Sequence, residues 1–292
     1  MLPILGVPIS AKIIEQVLVE APIRRCVVVV RSADQDIARY LRDNPFGGAE
    51  TRFVFQPEPL GMADALKKVV EQSPIESDFL LVACDNLFEP GAVAELHRTH
   101  CLSGLDGVMC LLRVGKDEIA GKSGAAYLDS GRVARIVEKP SLEEVRTDLA
   151  SIPLYVFTPK LLEYLPRVKP SKRGEYELQD AIQMLIDDGG RIGYTITNWR
   201  RTITTPDDLL AINLEMLRKK AGQGGIVVPG VEIEQSVMVG EGCVLLEGSR
   251  IGPNVFVGTG STIGRGCRLS NCVVLPGTIL PDGTVGDGQL FY

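Results

Sequence analysis

The chain has 292 residues, 45% of them hydrophobic and 23% charged, a composition that is typical of a globular protein with a sizeable core. Its formal net charge is −6 and no cluster of lysines and arginines occurs, which argues against nucleic acid or a membrane as the main partner. Seven cysteines without a Cys-x-x-Cys pair, and no basic, apolar leader at the start, predict a reduced, cytoplasmic location.

From residue 8 to about residue 190, the hydrophobic pattern alternates between helices and strands. Helical spacing predicts helices over 8–20, 33–43, from Gly61 onward, over 178–187 and over 206–220. Short apolar runs predict strands over 26–30, 52–55, 79–83, 108–112, 125–129, 133–137 and 154–157. We expect the first of these strands to be fully buried. The alternation predicts an α/β fold with a mostly parallel sheet, whose ligands bind at the carboxyl ends of strands, where Asp85 lies.

The two histidines, His97 and His100, are three residues apart on a predicted helix. Such a pair can bind a metal ion, but a polar helix face is the more frequent reason for this spacing. We therefore expect no metal site at these histidines.

A repeat of six residues begins after the predicted linker at 221–225. Aliphatic residues occupy every sixth position, namely Val227, Ile233, Val239, Leu245, Ile251, Val257, Ile263, Leu269 and Leu275. Small or β-branched residues follow four positions later, from Val231 to Val273 and Ile279. This period is typical of a parallel β-helix, in which the aliphatic residues stack inward. The sequence thus predicts two domains, an α/β domain over 1–222 and a β-helix over 226–292.

Six short motifs occur in a characteristic order along residues 2–210. They are Leu2-Pro3-Ile4-Leu5-Gly6, the segment 56–65 with Gln56 and Gly61, Cys84-Asp85-Asn86, Glu138-Lys139-Pro140, the segment 173–180 beginning Arg173-Gly174-Glu175, and Pro206-Asp207-Asp208. Each motif alone is weak, but their order resembles the sugar-phosphate nucleotidyltransferases, such as glucose-1-phosphate thymidylyl- and uridylyltransferases. Several members of that family also carry a left-handed hexapeptide β-helix. The resemblance implies a Rossmann-like sheet followed by a short left-handed β-helix.

The family resemblance also implies a reaction and its ligands. A sugar 1-phosphate attacks the α-phosphorus of a nucleoside triphosphate, and pyrophosphate leaves, with Mg²⁺ and cationic side chains neutralising charge. Gln56 and Gly61 would face the base, and Asp85 would ligate Mg²⁺. Gln56 suits uracil or thymine, but a glutamine amide can flip, so the base and the sugar stay open.

The remaining site residues implied by the resemblance belong to the sugar phosphate. Gly124 would let the backbone approach the sugar, and Glu138 and Glu175 would bind it. Lys139, the predicted catalytic residue, would pair with the sugar phosphate. Without the resemblance, Asp85-Asn86 fits a turn or helix cap equally well, and Glu138-Lys139-Pro140 fits a solvated strand end.

The sequence departs from the family pattern in two ways that bear on activity. The family's glycine-rich phosphate loop and first strand lie upstream of the Leu-Pro-Ile segment, and the sequence here begins at Met1. The family's second metal-binding aspartate has no counterpart, because Thr202 aligns with it when counted from Pro206, and Arg201 when counted from Trp199. In addition, Pro153 stands where the family usually has glycine.

These departures predict weak or absent turnover for the chain. The alternative is a non-catalytic subunit that binds a nucleotide or sugar phosphate and pairs with an active paralogue. In either case, we expect a homo-oligomer or hetero-oligomer that assembles through the β-helix.

Overall fold

The computed structural model describes residues 2–31, 35–219 and 228–292, so the predicted linker at 221–225 and Val227 lie outside the described residues. The elements of the first two ranges are β1 (Pro3–Ile4), β2 (Val7–Pro8), α1 (Ile9–Glu20), β3 (Arg25–Val30), α2 (Gln35–Asp43), β4 (Glu50–Phe55), α3 (Met62–Gln72), β5 (Phe79–Val82), β6 (Asn86–Phe88), α4 (Ala92–Ser103), β7 (Gly107–Arg113), α5 (Lys116–Ile119), β8 (Gly124–Asp129), β9 (Arg132–Val137), β10 (Leu149–Phe157), a 3₁₀-helix (Pro159–Arg167), α6 (Leu178–Asp187), β11 (Ile192–Thr197), β12 (Arg200–Thr202) and α7 (Pro206–Lys219).

The third range contains only short strands. They are β13 (Glu232–Ile233), β14 (Val237–Val239), β15 (Val244–Leu245), β16 (Arg250–Ile251), β17 (Val255–Val257), β18 (Thr262–Ile263), β19 (Arg268–Ser270), β20 (Val273–Val274), β21 (Ile279–Leu280), β22 (Val285–Asp287) and β23 (Leu290–Phe291). None of the helices in the described part of the chain is long and apolar enough to cross a membrane.

The chain packs as two compact units, Ile13–Arg200 and Met1–Lys12 together with Arg201–Tyr292. This division assigns α7 to the same unit as the β-helix, whereas the predicted first domain runs to residue 222. The predicted boundary at 222–226 falls outside the described residues, so it stays a prediction.

The unit Ile13–Arg200 contains a six-stranded sheet with the order β5-β10-β7-β11-β9-β8 and a separate parallel pair, β3 and β4. The predicted α/β class is confirmed, but the sheet is mixed rather than mostly parallel. Strands β7 and β11 are parallel, whereas β10 runs antiparallel to β5, β7 and β8. The cause is the hairpin of β8 and β9, which reverses the chain before β10. Its turn, Ser130-Gly131, has positive φ at both residues, as a tight hairpin requires.

The core of this unit lies between the sheet and the helices α3 and α6. Met109 and Leu111 of β7 and Tyr155 and Phe157 of β10 alternate along their strands and belong to one buried cluster with these helices. The prediction that strand 26–30 is fully buried is wrong, because only Val30 is fully buried. Within the described sheets, β3 is paired on one edge only, with β4, which leaves its other residues half-exposed.

The predicted parallel β-helix is confirmed, with three stacked sheets in one unit with α7. The strand partners are 18 residues apart in the early coils, as for Glu232, Arg250 and Arg268. One coil has 17 residues, as shown by the pairing of Phe256 with Val273.

That shorter coil corrects the inward positions predicted for the end of the repeat. Val274 and Leu280 belong to the β-helix core, whereas the predicted Leu275 packs outside it and Ile279 is 74% exposed. A loss of one residue shifts every later side chain to the opposite side of the strand.

The outer face of one β-helix sheet is apolar and packs under α7. Phe256 and Val273 form a buried cluster with Leu214 of α7, and Leu5 packs against it. Leu5 lies in the tight turn between β1 and β2, whose backbone N–H donates to the Oδ1 atom of Asn213 at 2.7 Å. The Leu-Pro-Ile segment is therefore held by α7 in this unit.

Candidate functional site

Several predicted site residues meet where β8, β9 and β10 lie side by side. Gly124 begins β8 and is the strand partner of Ser151 in β10, and Glu138 directly follows β9. Two residues after Ser151, the carbonyl of Pro153 accepts a hydrogen bond from the backbone N–H of Ala83, just before Asp85. Pro153 lies within an irregularity of β10, where a residue without a backbone N–H is tolerated. The sheet thus brings the Asp85 loop close to the Gly124 and Glu138 segment.

The Glu138 side chain, 14% exposed, brings a buried carboxylate oxygen into this region. A Cβ atom on Gly124 would lie 3.0 Å from Glu138 Oε2 and 3.3 Å from the Cβ atom of Ser151, so glycine is what leaves room here. Glu138 Oε2 is buried without a hydrogen-bond partner among the described residues. Burial, and then repulsion by Glu177, raise the pKa of the Glu138 carboxyl to about 7. A buried, unpartnered acceptor of this kind suits a ligand hydroxyl.

Arg173 joins three carboxylates at the border of the same region. Its Nη2 atom lies 2.6 Å from Glu177 Oε1, 3.9 Å from Glu175 Oε2 and 4.0 Å from Glu138 Oε1. Ser171 Oγ also donates to Glu177 Oε1, at 2.8 Å. The motif over 173–180 predicted Glu175 as a site residue, but Glu177 is the buried member of the pair. The feature of the sequence that could have indicated Glu177 is its spacing of four residues from Arg173.

Lys139 has a left-handed backbone, with φ of 42°. A non-glycine residue in this region costs about 1–2 kcal/mol, which the surrounding structure must compensate. The described residues give its ammonium group no hydrogen bond or ion pair, so this cation beside Glu138 can meet an anion.

Gln56 and Gly61 lie together, and Gly61 packs against the backbone of Tyr176. Gln56 is buried, and its Nε2 atom donates to the carbonyl of Gly61 at 3.2 Å and to Asp64 Oδ2 at 2.8 Å. Because both of these partners are acceptors, the amide orientation is determined, and Oε1 is the atom left for a ligand. Gly61 has φ of 103°, and a Cβ atom there would lie 2.6 Å from the carbonyl oxygen of Tyr176. Backbone packing against Tyr176 thus requires Gly61, whatever it does toward a base.

Asp85 is half-buried at the end of β5, and Asn86 Nδ2 donates to its Oδ1 atom. The described residues contain no group of three His, Cys, Asp or Glu side chains that could hold a metal ion. The two histidines do not share a polar helix face, because His100 is buried, with Nε2 2.8 Å from Asp78 Oδ2.

Arg200 also lies at this site, although none of the motifs predicted it. Its Nη2 atom donates to Ser123 Oγ at 3.0 Å, directly before Gly124. Burial lowers the pKa of Arg200, and the nearby Asp85 carboxylate opposes that effect. The only signal in the sequence that could have indicated Arg200 was its position beside Trp199, in the segment that lacks the family's aspartate. The two residues aligned with that aspartate, Arg201 and Thr202, belong to the other compact unit.

Comparison with known proteins supports the fold and the motifs together. Residues 1–219 match the family model described as nucleotidyl transferase. The chain belongs to the nucleotidyl transferase family. Residues 230–265 of this nucleotidyl transferase family member match the bacterial transferase hexapeptide model, which comprises six repeats.

Two curated relatives come from Haloferax volcanii. The chain is 32% identical over 206 residues to the UTP–glucose-1-phosphate uridylyltransferase AglF, covering 70% of this chain and 81% of the relative. It is 29% identical over 223 residues to the low-salt glycan biosynthesis nucleotidyltransferase Agl11, covering 76% of this chain but only 60% of that relative's length. A glucose-1-phosphate thymidylyltransferase of Streptomyces griseus is 32% identical over 190 residues, which are 64% of this chain and 51% of the relative.

The fold of this nucleotidyl transferase family member also matches a solved structure. UDP-glucose pyrophosphorylase complexed with UDP-glucose superposes with a TM-score of 0.67 at 20% sequence identity. The match covers 75% of this chain and 90% of the other. At this identity, the likeness establishes the fold alone.

Proposed function

We propose that this chain binds a nucleoside triphosphate and a sugar 1-phosphate, the substrates of a sugar-1-phosphate nucleotidyltransferase. In that reaction, an oxygen of the sugar phosphate attacks the α-phosphorus, and pyrophosphate leaves. The observation that carries the proposal is the buried Glu138 carboxylate beneath Gly124, with an unpartnered oxygen beside the cation of Lys139. The names of the relatives, which act on glucose 1-phosphate, support the same substrate class.

The sugar phosphate would be bound by one carboxylate and one ammonium group. Glu138 Oε2 accepts a hydrogen bond from a sugar hydroxyl, which satisfies the buried oxygen. Lys139 follows directly in the chain and pairs with the phosphate as a compact positive charge. Gly124 leaves the space into which the sugar ring fits. Glu175, half-buried and 3.9 Å from Arg173, contributes at the border.

The base would be selected by the oriented amide of Gln56. Its Nε2 atom is engaged by Gly61 and Asp64, so Oε1 presents an acceptor to the ligand. Uracil and thymine offer an N3–H donor to such an acceptor, whereas the N3 atom of cytosine is itself an acceptor. We therefore expect uridine or thymidine triphosphate to bind in preference to cytidine triphosphate.

Members of this family generally use Mg²⁺, which neutralises the charge of the transferring phosphates. The donor set here fits a divalent cation poorly. Asp85 is one carboxylate, one of its oxygens accepts from Asn86, and the positive charge of Arg200 lies in its vicinity. No step of the reaction is therefore derived through the metal ion, and the role of Asp85 as its ligand stays a prediction.

This poor fit for Mg²⁺ favours weak turnover, and it also supports a second candidate function. That candidate is a non-catalytic subunit that binds the nucleotide or sugar phosphate and pairs with an active paralogue. The specific observation in its favour is the cation Arg200 near Asp85, where metal-dependent transfer would benefit from a further carboxylate.

Two measurements on the full chain separate these functions. Calorimetry with glucose 1-phosphate and with each of the five common nucleoside triphosphates measures binding, and mass spectrometry of the mixtures detects a sugar nucleotide. Slow formation of a uridine or thymidine product supports the enzyme. Binding without product supports the non-catalytic subunit. Absence of binding by every ligand contradicts both.

Two further features of the cellular setting are part of the proposal. The seven cysteines are all free thiols, which agrees with a reducing, cytoplasmic location.

We also propose that copies of the chain, or a paralogue, associate through the β-helix, which is the usual role of hexapeptide repeats. Light scattering of the full chain should then give a mass of more than one subunit.

A further inference from the structure

The side chain of Arg200 is a half-buried cation with few partners. The described residues show one hydrogen bond from its guanidinium, to Ser123 Oγ at 3.0 Å, although a guanidinium has five N–H donors. No carboxylate oxygen of these residues forms an ion pair with it. The carboxylates that act on its pKa are those of Asp85 and, more weakly, Glu118.

Arg173, the other arginine of the site, differs in this respect. Its guanidinium is engaged by Glu177 at 2.6 Å and has Glu175 and Glu138 within 4.0 Å. An incoming phosphate would have to compete with these three carboxylates. The partner of Arg200 is instead the neutral hydroxyl of Ser123. The other N–H groups of its guanidinium are therefore available to an anion.

The position of Arg200 links the two ends of the site. Ser123, its hydrogen-bond partner, is buried and directly precedes Gly124, against which Glu138 Oε2 lies. The Asp85 loop is joined to β10 through the carbonyl of Pro153, two residues after Ser151, the strand partner of Gly124. A phosphate attached to a sugar over Gly124 would therefore lie between the sugar-binding carboxylate and Asp85, within reach of this guanidinium.

We propose that Arg200 binds the phosphate group of the sugar phosphate and supplies, in the place of a divalent cation, the positive charge near Asp85. This inference rests on the proposed function, since the phosphate is that of its substrate. A guanidinium offers two parallel N–H donors to a phosphate, which a metal ion cannot do.

A direct consequence is that phosphate binding does not require Mg²⁺. Arginine remains charged across the accessible pH range, so its contribution neither titrates near neutrality nor depends on a chelator. In a site that combined two carboxylates, by contrast, an anion would be repelled until a cation bound first.

The test is calorimetric binding of glucose 1-phosphate and, separately, inorganic phosphate to the full chain, in EDTA and in excess Mg²⁺. We expect Kd for glucose 1-phosphate in EDTA to lie within about twofold of its value in Mg²⁺. Arg200→Gln should weaken binding by about tenfold or more, because a charge-assisted hydrogen bond is lost. Arg200→Lys keeps the positive charge, so its Kd should lie between those of the wild type and Arg200→Gln. It thereby separates a loss of charge from a folding defect.

Two control variants isolate the role of Arg200. Arg98→Gln removes an exposed arginine that pairs with Glu95 on α4, and it should leave Kd unchanged. Ser123→Ala removes the hydrogen-bond partner of Arg200 but not its charge, so most of the affinity should remain. Thermal unfolding of each variant reports whether it is folded.

The outcomes distinguish this inference from the proposed function. If Arg200→Gln binds as the wild type does, or if the wild type binds only with Mg²⁺, the inference is wrong. If inorganic phosphate binds through Arg200 but glucose 1-phosphate binds no more tightly, Arg200 is a phosphate site and the proposed sugar-phosphate function fails. If neither probe binds, both are overturned.

Discussion

Among the individual residues, Glu138 has a charge state that depends strongly on its surroundings. Its side chain is only 14% exposed, and burial raises its pKa to about 7. The folded state therefore holds a proton between about pH 4.5 and pH 7, where the unfolded state does not. Stability is thus highest below this window and falls as the pH rises through it. Near neutral pH, a ligand hydroxyl bound to the carboxylate would offset part of this cost.

Replacement of Glu138 by Gln should remove this pH dependence. We expect Glu138→Gln to be more stable than the wild type at pH 8, by at most about 3 kcal/mol, and similar at pH 5. Urea unfolding at the two pH values measures the difference. Glu143→Gln, at an exposed position, is the control and should follow the wild type. Equal pH slopes for Glu138→Gln and the wild type would contradict the assignment.

The orientation of the Gln56 amide depends on a second residue, Asp64. Asp64→Ala removes the acceptor at 2.8 Å and lets the amide turn over, so that an N–H can face the base. We expect the preference for uridine over cytidine triphosphate to fall by about fivefold, the equivalent of one hydrogen bond. Calorimetric titration with both nucleotides measures the ratio. Lys67→Ala, on the exposed side of α3, should leave it unchanged, and an unchanged ratio in Asp64→Ala would show that Asp64 does not orient the amide.

At the scale of elements, the β-helix shows how one residue decides which side chains are inside. From Val239 to Leu269 the six-residue period places the aliphatic residues in or against the core, as the sequence predicts. After the shorter coil, the period continues from Val274 rather than from Leu275. The sequence does not reveal this shift, because Val274 and Leu275 are both aliphatic and either could continue the repeat.

Two adjacent residues test this register. Leu280 is 5% exposed and belongs to the β-helix core, whereas Ile279 is 74% exposed. Leu280→Ala should lower the free energy of unfolding by about 2–4 kcal/mol, and Ile279→Ala by less than about 0.5 kcal/mol. Chemical unfolding of both variants provides the comparison. The reverse order would restore the uninterrupted period of six.

At the scale of the whole molecule, the chain divides between α/β and β-helix parts at a place that the motifs do not show. Residues 206–219 belong to the matched nucleotidyl transferase region, yet α7 packs in one unit with the β-helix. The outward side chains Phe256 and Val273 explain this, since an apolar outer face of a β-helix must be covered.

Phe256→Ala should loosen one unit and leave the other unchanged. We expect faster hydrogen exchange in α7 and in the strands that flank residue 256, because burial of a large side chain is lost, at a cost of about 3 kcal/mol. Strands β7 and β11 should keep their protection. Phe55→Ala, at a half-exposed position of the other unit, is the control and should not affect α7. Equal loosening of both units would show that they unfold together.

The sequence by itself determined the family, most helices and strands, and the β-helix, because hydrophobic periodicity and the order of motifs are local properties of the chain. The tertiary structure alone decided the roles of particular residues. Arg200 lies 77 positions from Ser123 along the chain, and Ser151 reaches Gly124, beside Glu138, only because β8 pairs with β10. Burial and charge at a site depend on contacts between distant segments, and no local pattern records them.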